Sequence, residues 1–353
     1  MSELLQKLGV EHPLILAPMA GGPSTPRLAA AVSEAGGLGS YGAAYLPRGK
    51  VRDVIHEIRA LTSRPFVINL FADDGVAAEP VVLQEAQAAV AKYREALGLP
   101  PSAPPAETAT LAEAFPVLLE ERVPVSSFTF GIPAGAILDA CRSNGIVTMG
   151  TATSVAEARA LEAAGVDCIC AQGAEAGGHQ GTFDRNAEPP LVGTMALVPQ
   201  IVDAVRVPVV AAGGIMDGRG VAAALALGAQ AASLGTAFLL CPEAGTSAPY
   251  RTALRQARDD STVITRAFSG RAARGLANRF TREMSGAPLA PYPVQNSLTR
   301  EMRAAAARAG DHELLSLWAG QAASLAREIP AGDLVAQIMH ETAKVLLQLK
   351  PEA

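Results

Sequence analysis

Residues 171–181, AQGAEAGGHQG, place His179, one of five histidines in the chain, directly after Gly177 and Gly178 and just beyond an apolar run, VDCIC. Near neutral pH an imidazole can accept a carbon-bound proton or hydrogen-bond a polar substrate. Two glycines before it let the backbone pass close to a bound ring, so that the next side chain addresses the space above that ring. The competing reading is a loop histidine that anchors its own turn. His12, His56, His312 and His340 lack comparable surroundings and read as structural or exposed.

Two more stretches suit an anion. AAGGIMDGRG, residues 211–220, leads into a helix whose start is expected to offer free backbone N–H groups, and SLGT supplies Ser233, Leu234, Gly235 and Thr236. Glycine permits close approach and oriented amides stabilise negative charge, so the pair can cradle a phosphate; ordinary tight turns are the alternative. Asn69 and Gln172 each carry donors and an acceptor that can match the polar edge of a heterocycle, with Met19 packed on its face. Each amide alone could equally cap a loop. Cys168 and Cys170 share one strand face, but without a histidine pattern they make no metal site. Neither a Walker loop nor a dinucleotide fingerprint is present.

Such groups act together only if the strands carrying them end at one place. Short apolar runs alternate with Ala-rich helical segments, with strands predicted near 13–18, 37–42, 65–71, 123–130, 145–150, 166–172, 207–213 and 231–236. Eight βα units predict an α/β fold, a TIM (β/α)8 barrel with its reactive groups on loops after the strands. Thr25 caps one helix ahead of Pro26, and Ser154 with Glu157 has capping-box spacing ahead of another that Gly165 ends. Residues 72–122, including LPPSAPP, form an expected helical insertion after the third strand. The chain therefore divides into a barrel over 1–240 and a mostly helical region over 241–353 that covers the site.

Composition narrows the function classes. Of 353 residues, 49% are hydrophobic and 18% charged, which excludes a disordered chain and allows strands buried on both faces. A formal net charge of -5, with scattered arginines, leaves no footprint for nucleic acid. Four cysteines in apolar surroundings suit reduced thiols and a cytoplasmic location. Val221–Cys241 is uncharged and long enough for a bilayer, but Gly228 and Gln230 break it into a helix, a turn and a strand, so no membrane span is expected. The first residues do not read as a secretory signal.

APMAGG, NLF, SFTFG, AQGAEAGGHQG, AAGGI and SLGTAF, followed by FSGRAARGLANRF, YPVQNSLT and LWAGQ, resemble in this order the nitronate monooxygenases, once called 2-nitropropane dioxygenases. Only residues 72–118 show no motif of that family. The resemblance implies a barrel holding noncovalent FMN, with contacts from Met19, Ala20, Gly21, Asn69, Gln172, Gly177, Gly214, Ser233, Leu234, Gly235 and Thr236. His179 matches the family's active-site histidine. The implied reaction converts an alkyl nitronate, propionate 3-nitronate among the candidates, with O2 to a carbonyl compound and nitrite. A rival of the same cofactor class is an FMN-dependent NAD(P)H:quinone or enoyl-thioester reductase, because GAEAGGH fits that type as well. A flavin-free phosphate-ligand isomerase and a noncatalytic flavin binder are the remaining rivals. The sequence sets neither the oligomeric state nor the residues that recognise the substrate.

Overall fold

The structure is a computed structural model that describes residues 2–101 and 109–349. Its strands are β1 (Leu14–Leu16), β2 (Gly39–Gly42), β3 (Phe66–Phe71), β4 (Val125–Thr129), β5 (Val147–Ala152), β6 (Cys168–Gln172), β7 (Gly178–His179), β8 (Val209–Ala212), β9 (Ala231–Leu234), β10 (Thr262–Thr265) and β11 (Ala273–Leu276). Eight of them pair in parallel in the order β1-β9-β8-β6-β5-β4-β3-β2. Leu16 N–H donates to Leu38 O and Leu38 N–H to Leu14 O, both at 2.9 Å, which joins β1 to the β2 side and closes the ring. This is the TIM barrel expected from the alternating sequence pattern; seven of the eight barrel strands lie within their predicted spans, and β5 runs two residues past its span, to Ala152.

Alternation along the strands builds two layers. Ile15, Val67, Val125, Met149, Cys168, Cys170 and Val210 share the cluster that fills the barrel interior. Leu14, Leu16, Ile68, Ile169, Ala171 and Ala211 join the larger cluster between strands and helices. The short helix Glu3–Leu8 adds Leu4, Leu5 and Leu8 to the interior cluster. Bonds from Leu4 N–H to Gln230 and from Lys7 to Asp167 hold it at the end where β9 and β6 begin.

The predicted caps form, with one change. Thr25 Oγ1 accepts from Leu28 N–H at 3.0 Å, and Ser154 Oγ accepts from Glu157 N–H at 3.2 Å. Glu157 does not complete a box with Ser154. Its carboxylate accepts from Thr153 N–H and Oγ–H, at 2.7 and 2.8 Å, and from Phe183 N–H at 2.8 Å, so it fastens the segment following His179 to the barrel.

Among the described residues, the span 72–122 contains two helices of different kind. Leu111–Glu120 packs on β3 and on the helix Arg48–Leu61, as a barrel helix does. Pro80–Ala96 leaves the barrel and meets the helix Val294–Ala309, where Arg94 Nη1 donates to Leu298 O and Nη2 to Glu301. Residues 102–105 of the proline-rich stretch lie outside the described residues.

The chain after residue 240 is more than a helical cover. Its last helix, Ala331–Gln348, packs against Gly218–Ala226 and Pro26–Glu34, the place of an eighth barrel helix. Between lies an excursion with a hairpin, β10 and β11, which the sequence pattern did not predict; β7 pairs with β11 to make a three-stranded antiparallel sheet. Val221–Cys241 folds as helix, turn, β9 and a 3-10 turn at Thr236–Phe238. No helix among the described residues is long and apolar enough to cross a membrane.

Candidate active site at the barrel mouth

A cavity of about 670 Å³ lies over the carboxyl-terminal ends of the barrel strands, within the range of cofactor pockets. The loop from Met19 to Ser24, Asn69 of β3, Gln172 of β6, Gly214 and Gly235 form its floor, and Arg300, Arg303 and Trp318 of the excursion help roof it. Met19, Ala20, Gly21, Asn69, Gln172, Gly177, His179, Gly214, Ser233, Gly235 and Thr236 all line this one space. Leu234 does not. It is buried between strands and helices, because its neighbours Ser233 and Gly235 take the inward positions of the two-residue period.

The phosphate reading needs one correction. The helix Gly218–Ala226 does not offer a free start: Asp217 accepts from Arg219 N–H at 2.9 Å and Gly220 N–H at 3.4 Å, and Glu341 of the last helix accepts from Gly218 N–H at 3.0 Å. An aspartate cap and a distant glutamate fill the place an anion would take. At the cavity, the amides of Gly214, Gly235 and Thr236 have no partner among the described residues. The Thr236 hydroxyl accepts from Gly320 N–H at 2.9 Å, which leaves its own proton to donate.

The two amide side chains are committed differently. Asn69 Nδ2 donates to Ser127 O and Oγ at 3.2 and 2.9 Å, which fixes the side chain and leaves Oδ1 as an acceptor with no partner among the described residues. Gln172 spans the turn carrying His179: Nε2 donates to His179 O at 3.0 Å, and Oε1 accepts from Gly181 N–H at 2.7 Å. The turn is also anchored through Glu175, whose carboxylate accepts from Thr194 N–H and Oγ–H, both at 2.9 Å, at the start of the helix Thr194–Ala204.

The glycines before His179 have separate causes, and one differs from the expectation. A Cβ on Gly177 would lie 2.6 Å from Ala319 C and from Gly320 N, so Gly177 is required by the returning excursion rather than by a ligand. Gly178 has φ 77 with open space around it, a left-handed conformation that turns the chain into β7. Pairing of His179 with Ala273 of β11 then fixes the backbone.

The imidazole sits among Phe130, Tyr292 and Trp318, with ring centroids at 5.7, 6.1 and 5.6 Å. Ser269 Oγ donates to Arg271 O at 3.1 Å and lies 2.8 Å from His179 Nε2, a pattern that assigns the proton to Nε2 and leaves a lone pair on Nδ1. Desolvation, reinforced by the charges of Arg271 and Arg303, pushes the His179 pKa down to about 3. The ring is neutral at any ordinary pH. Arg271 is buried and paired with Asp73 at 2.8 Å, and Asp73 also holds Arg185. The Arg271 guanidinium lies 3.8 Å from the centre of the Phe130 ring, holding that residue at φ 73, where a bulky side chain is strained.

Ser269 and Arg271 belong to FSGRAARGL, a stretch with a visible family likeness but no assigned role in the sequence reading. Their task depends on a sheet pairing that joins distant segments. Tyr45 and Arg303 carried no local signal, and Trp318 stood only within LWAGQ, with no role attached to it. Among the described residues no group of three or more His, Cys, Asp or Glu is arranged to hold a metal ion.

A closed barrel with glycine turns, unpaired amides and a shielded imidazole at its carboxyl-terminal mouth defines a TIM-barrel enzyme. The family model described as nitronate monooxygenase matches residues 2–341, and the chain belongs to that family of oxidoreductases, as its motifs suggested. A probable nitronate monooxygenase of Staphylococcus aureus (strain Newman) is 43% identical over 349 residues, 98% of either chain. The structure of a nitroalkane oxidase from Streptomyces ansochromogenes superposes with a TM-score of 0.93 at 42% identity, covering 99% of this chain and 100% of that one. FabK from Thermotoga maritima is similar at a TM-score of 0.75 and 31% identity, over 99% and 98% of the two chains.

Proposed function

We propose that the protein is an FMN-dependent nitronate monooxygenase that takes the anionic nitronate, with O2, to a carbonyl compound and nitrite. The observation that carries this reading is a single cavity containing unpaired amides at one end and a neutral imidazole beside uncompensated positive charge at the other. The residues present fit FMN. The amides of Gly214, Gly235 and Thr236 would meet its phosphate, Asn69 Oδ1 the polar edge of its ring system, and Met19 a ring face. When bound, FMN supplies the acceptor for electrons from the nitronate and the donor to O2.

The chain's own part is recognition and exclusion. A base with a pKa near 3 is badly matched to removing an α-proton at neutral pH, whereas a nitronate has already lost that proton. His179 therefore borders the substrate as a neutral ring: its Nδ1 lone pair cannot donate to an anion, so the ring shapes the space while an anion entering beside it offsets Arg271 and Arg303. The rings of Phe130, Tyr292 and Trp318 keep water from that side. All four cysteines are free and buried, consistent with a reducing, cytoplasmic setting.

Aerobic nitrite release from matched nitronates and neutral nitroalkanes, recorded with the flavin spectrum, tests this reading. The purified protein is expected to be yellow and to favour nitronates by about 100-fold or more in kcat/KM. A colourless protein that takes up no FMN would point to the isomerase, and bound flavin without turnover to a binder. GAEAGGH keeps a reductase in view, and rapid anaerobic bleaching by NADH without nitrite release would favour it over nitronate oxidation.

A further inference from the structure

We propose that Arg303 and Tyr45 form the recognition point for the substrate's negative charge, selecting a small planar oxyanion. This role rests on the nitronate reading above and extends it to residues that no likeness assigns. Both side chains line the cavity. Arg303, on the helix Val294–Ala309, has no carboxylate partner among the described residues; its bonds go to neutral oxygens.

A donor count shows what it has left. Guanidinium carries five N–H groups. Nε–H goes to Thr299 O at 3.3 Å, one Nη1–H to Ser316 Oγ at 3.1 Å, and the two on Nη2 to Asn296 O and Oδ1 at 3.1 and 2.7 Å. One Nη1–H remains. The neighbouring charge is that of Arg300, which also lines the cavity, so the cation is held rigidly by neutral groups beside another cation. A shielded guanidinium without a counter-ion is unfavourable until an anion enters the cavity.

Tyr45 supplies the second donor. Its hydroxyl is buried and meets no partner in full hydrogen-bond geometry; the Tyr292 hydroxyl approaches it as a donor, which leaves the Tyr45 proton to give, and the charges of Arg303 and Arg271 act on it. A buried hydroxyl whose proton finds no acceptor in the fold is destabilising unless a ligand completes it. A free N–H and a free O–H under positive potential fit the oxygens of one small anion better than any neutral substrate.

Nitrate is the probe, because it is planar, anionic and does not deliver electrons to a flavin. Trp318 is the only tryptophan and lines the same cavity, so its fluorescence in the flavin-loaded protein reports occupancy. Nitrate is expected to give a saturable change and to compete with nitronate. Tyr45→Phe, which removes a hydroxyl with no partner in full hydrogen-bond geometry, should fold as the native protein does yet bind nitrate about tenfold more weakly and raise the KM for nitronate more than it lowers kcat. Arg303→Lys, retaining charge but not the anchored fork, should weaken nitrate by about tenfold or more, and Arg303→Met should abolish its binding. Native nitrate affinity in both Tyr45→Phe and Arg303→Lys, or nitrate that fails to compete, overturns the proposal. If nitrate binds as expected but no nitronate releases nitrite, the anion point stands and the nitronate reading falls.

Discussion

Gly177→Ala is expected to lower stability by roughly 2 to 3 kcal/mol and to weaken FMN binding by about tenfold. The new methyl would lie 2.6 Å from backbone atoms of Ala319 and Gly320, where no side chain can swing aside. Relief requires the returning excursion to move, and Gly320 N–H is the donor that holds the Thr236 hydroxyl, at the end of the cavity proposed to take the phosphate. Damage at the turn before the histidine should therefore appear at the far end of the cofactor. Gly178→Ala is the control for backbone conformation alone: at φ 77 with nothing within 4 Å it should cost only about 1 to 2 kcal/mol, with FMN affinity close to native. Urea unfolding with and without FMN, combined with flavin titration, separates the two. The reverse order of severity would show that Gly177 is not the packing contact described.

His179→Ala is expected to leave FMN bound while cutting turnover of neutral nitroalkanes to the uncatalysed background and of nitronates by about tenfold or more. The turn survives because its anchors are backbone: Gln172 bonds His179 O and Gly181 N–H, and β7 pairs with β11. The loss falls harder on neutral substrates because any residual proton abstraction depends on this ring, whereas an existing anion loses only the ring that shapes its space. Steady-state kinetics on matched substrate pairs, with flavin content measured on each preparation, decides. Loss of FMN with equal impairment of both substrate forms would make His179 a scaffold residue.

Much of the site was legible because barrel geometry converts local pattern into position. Strand VDCICAQ and the glycine turn after it place His179 at the carboxyl-terminal end of β6 before any coordinates exist, and PFVINLF does the same for Asn69. The illegible parts depend on segments that meet only in three dimensions. Gly177 looks like a ligand-facing glycine until Ala319 and Gly320 arrive beside it. The start of Gly218–Ala226 looks open for phosphate until the Asp217 side chain turns back and Glu341 reaches across from the last helix. Arg303 reads as one more helix arginine until its surroundings prove to contain no acid. Even the sign of the histidine's role was hidden: imidazole type predicts a titration near neutrality, and desolvation between two arginines removes it.

In the proposed reaction a histidine kept neutral at the mouth of the barrel faces a substrate that arrives as an anion. The pH dependence of kcat/KM on a nitronate, followed between about pH 6 and 9 in the native protein and in His179→Ala, measures this most directly. A group whose pKa lies near 3 holds no proton across that range, so both profiles should show no inflection from this residue. A native profile that bends near pH 6.5 and loses the bend in His179→Ala would show an imidazole that titrates in water-like surroundings, and would contradict the account.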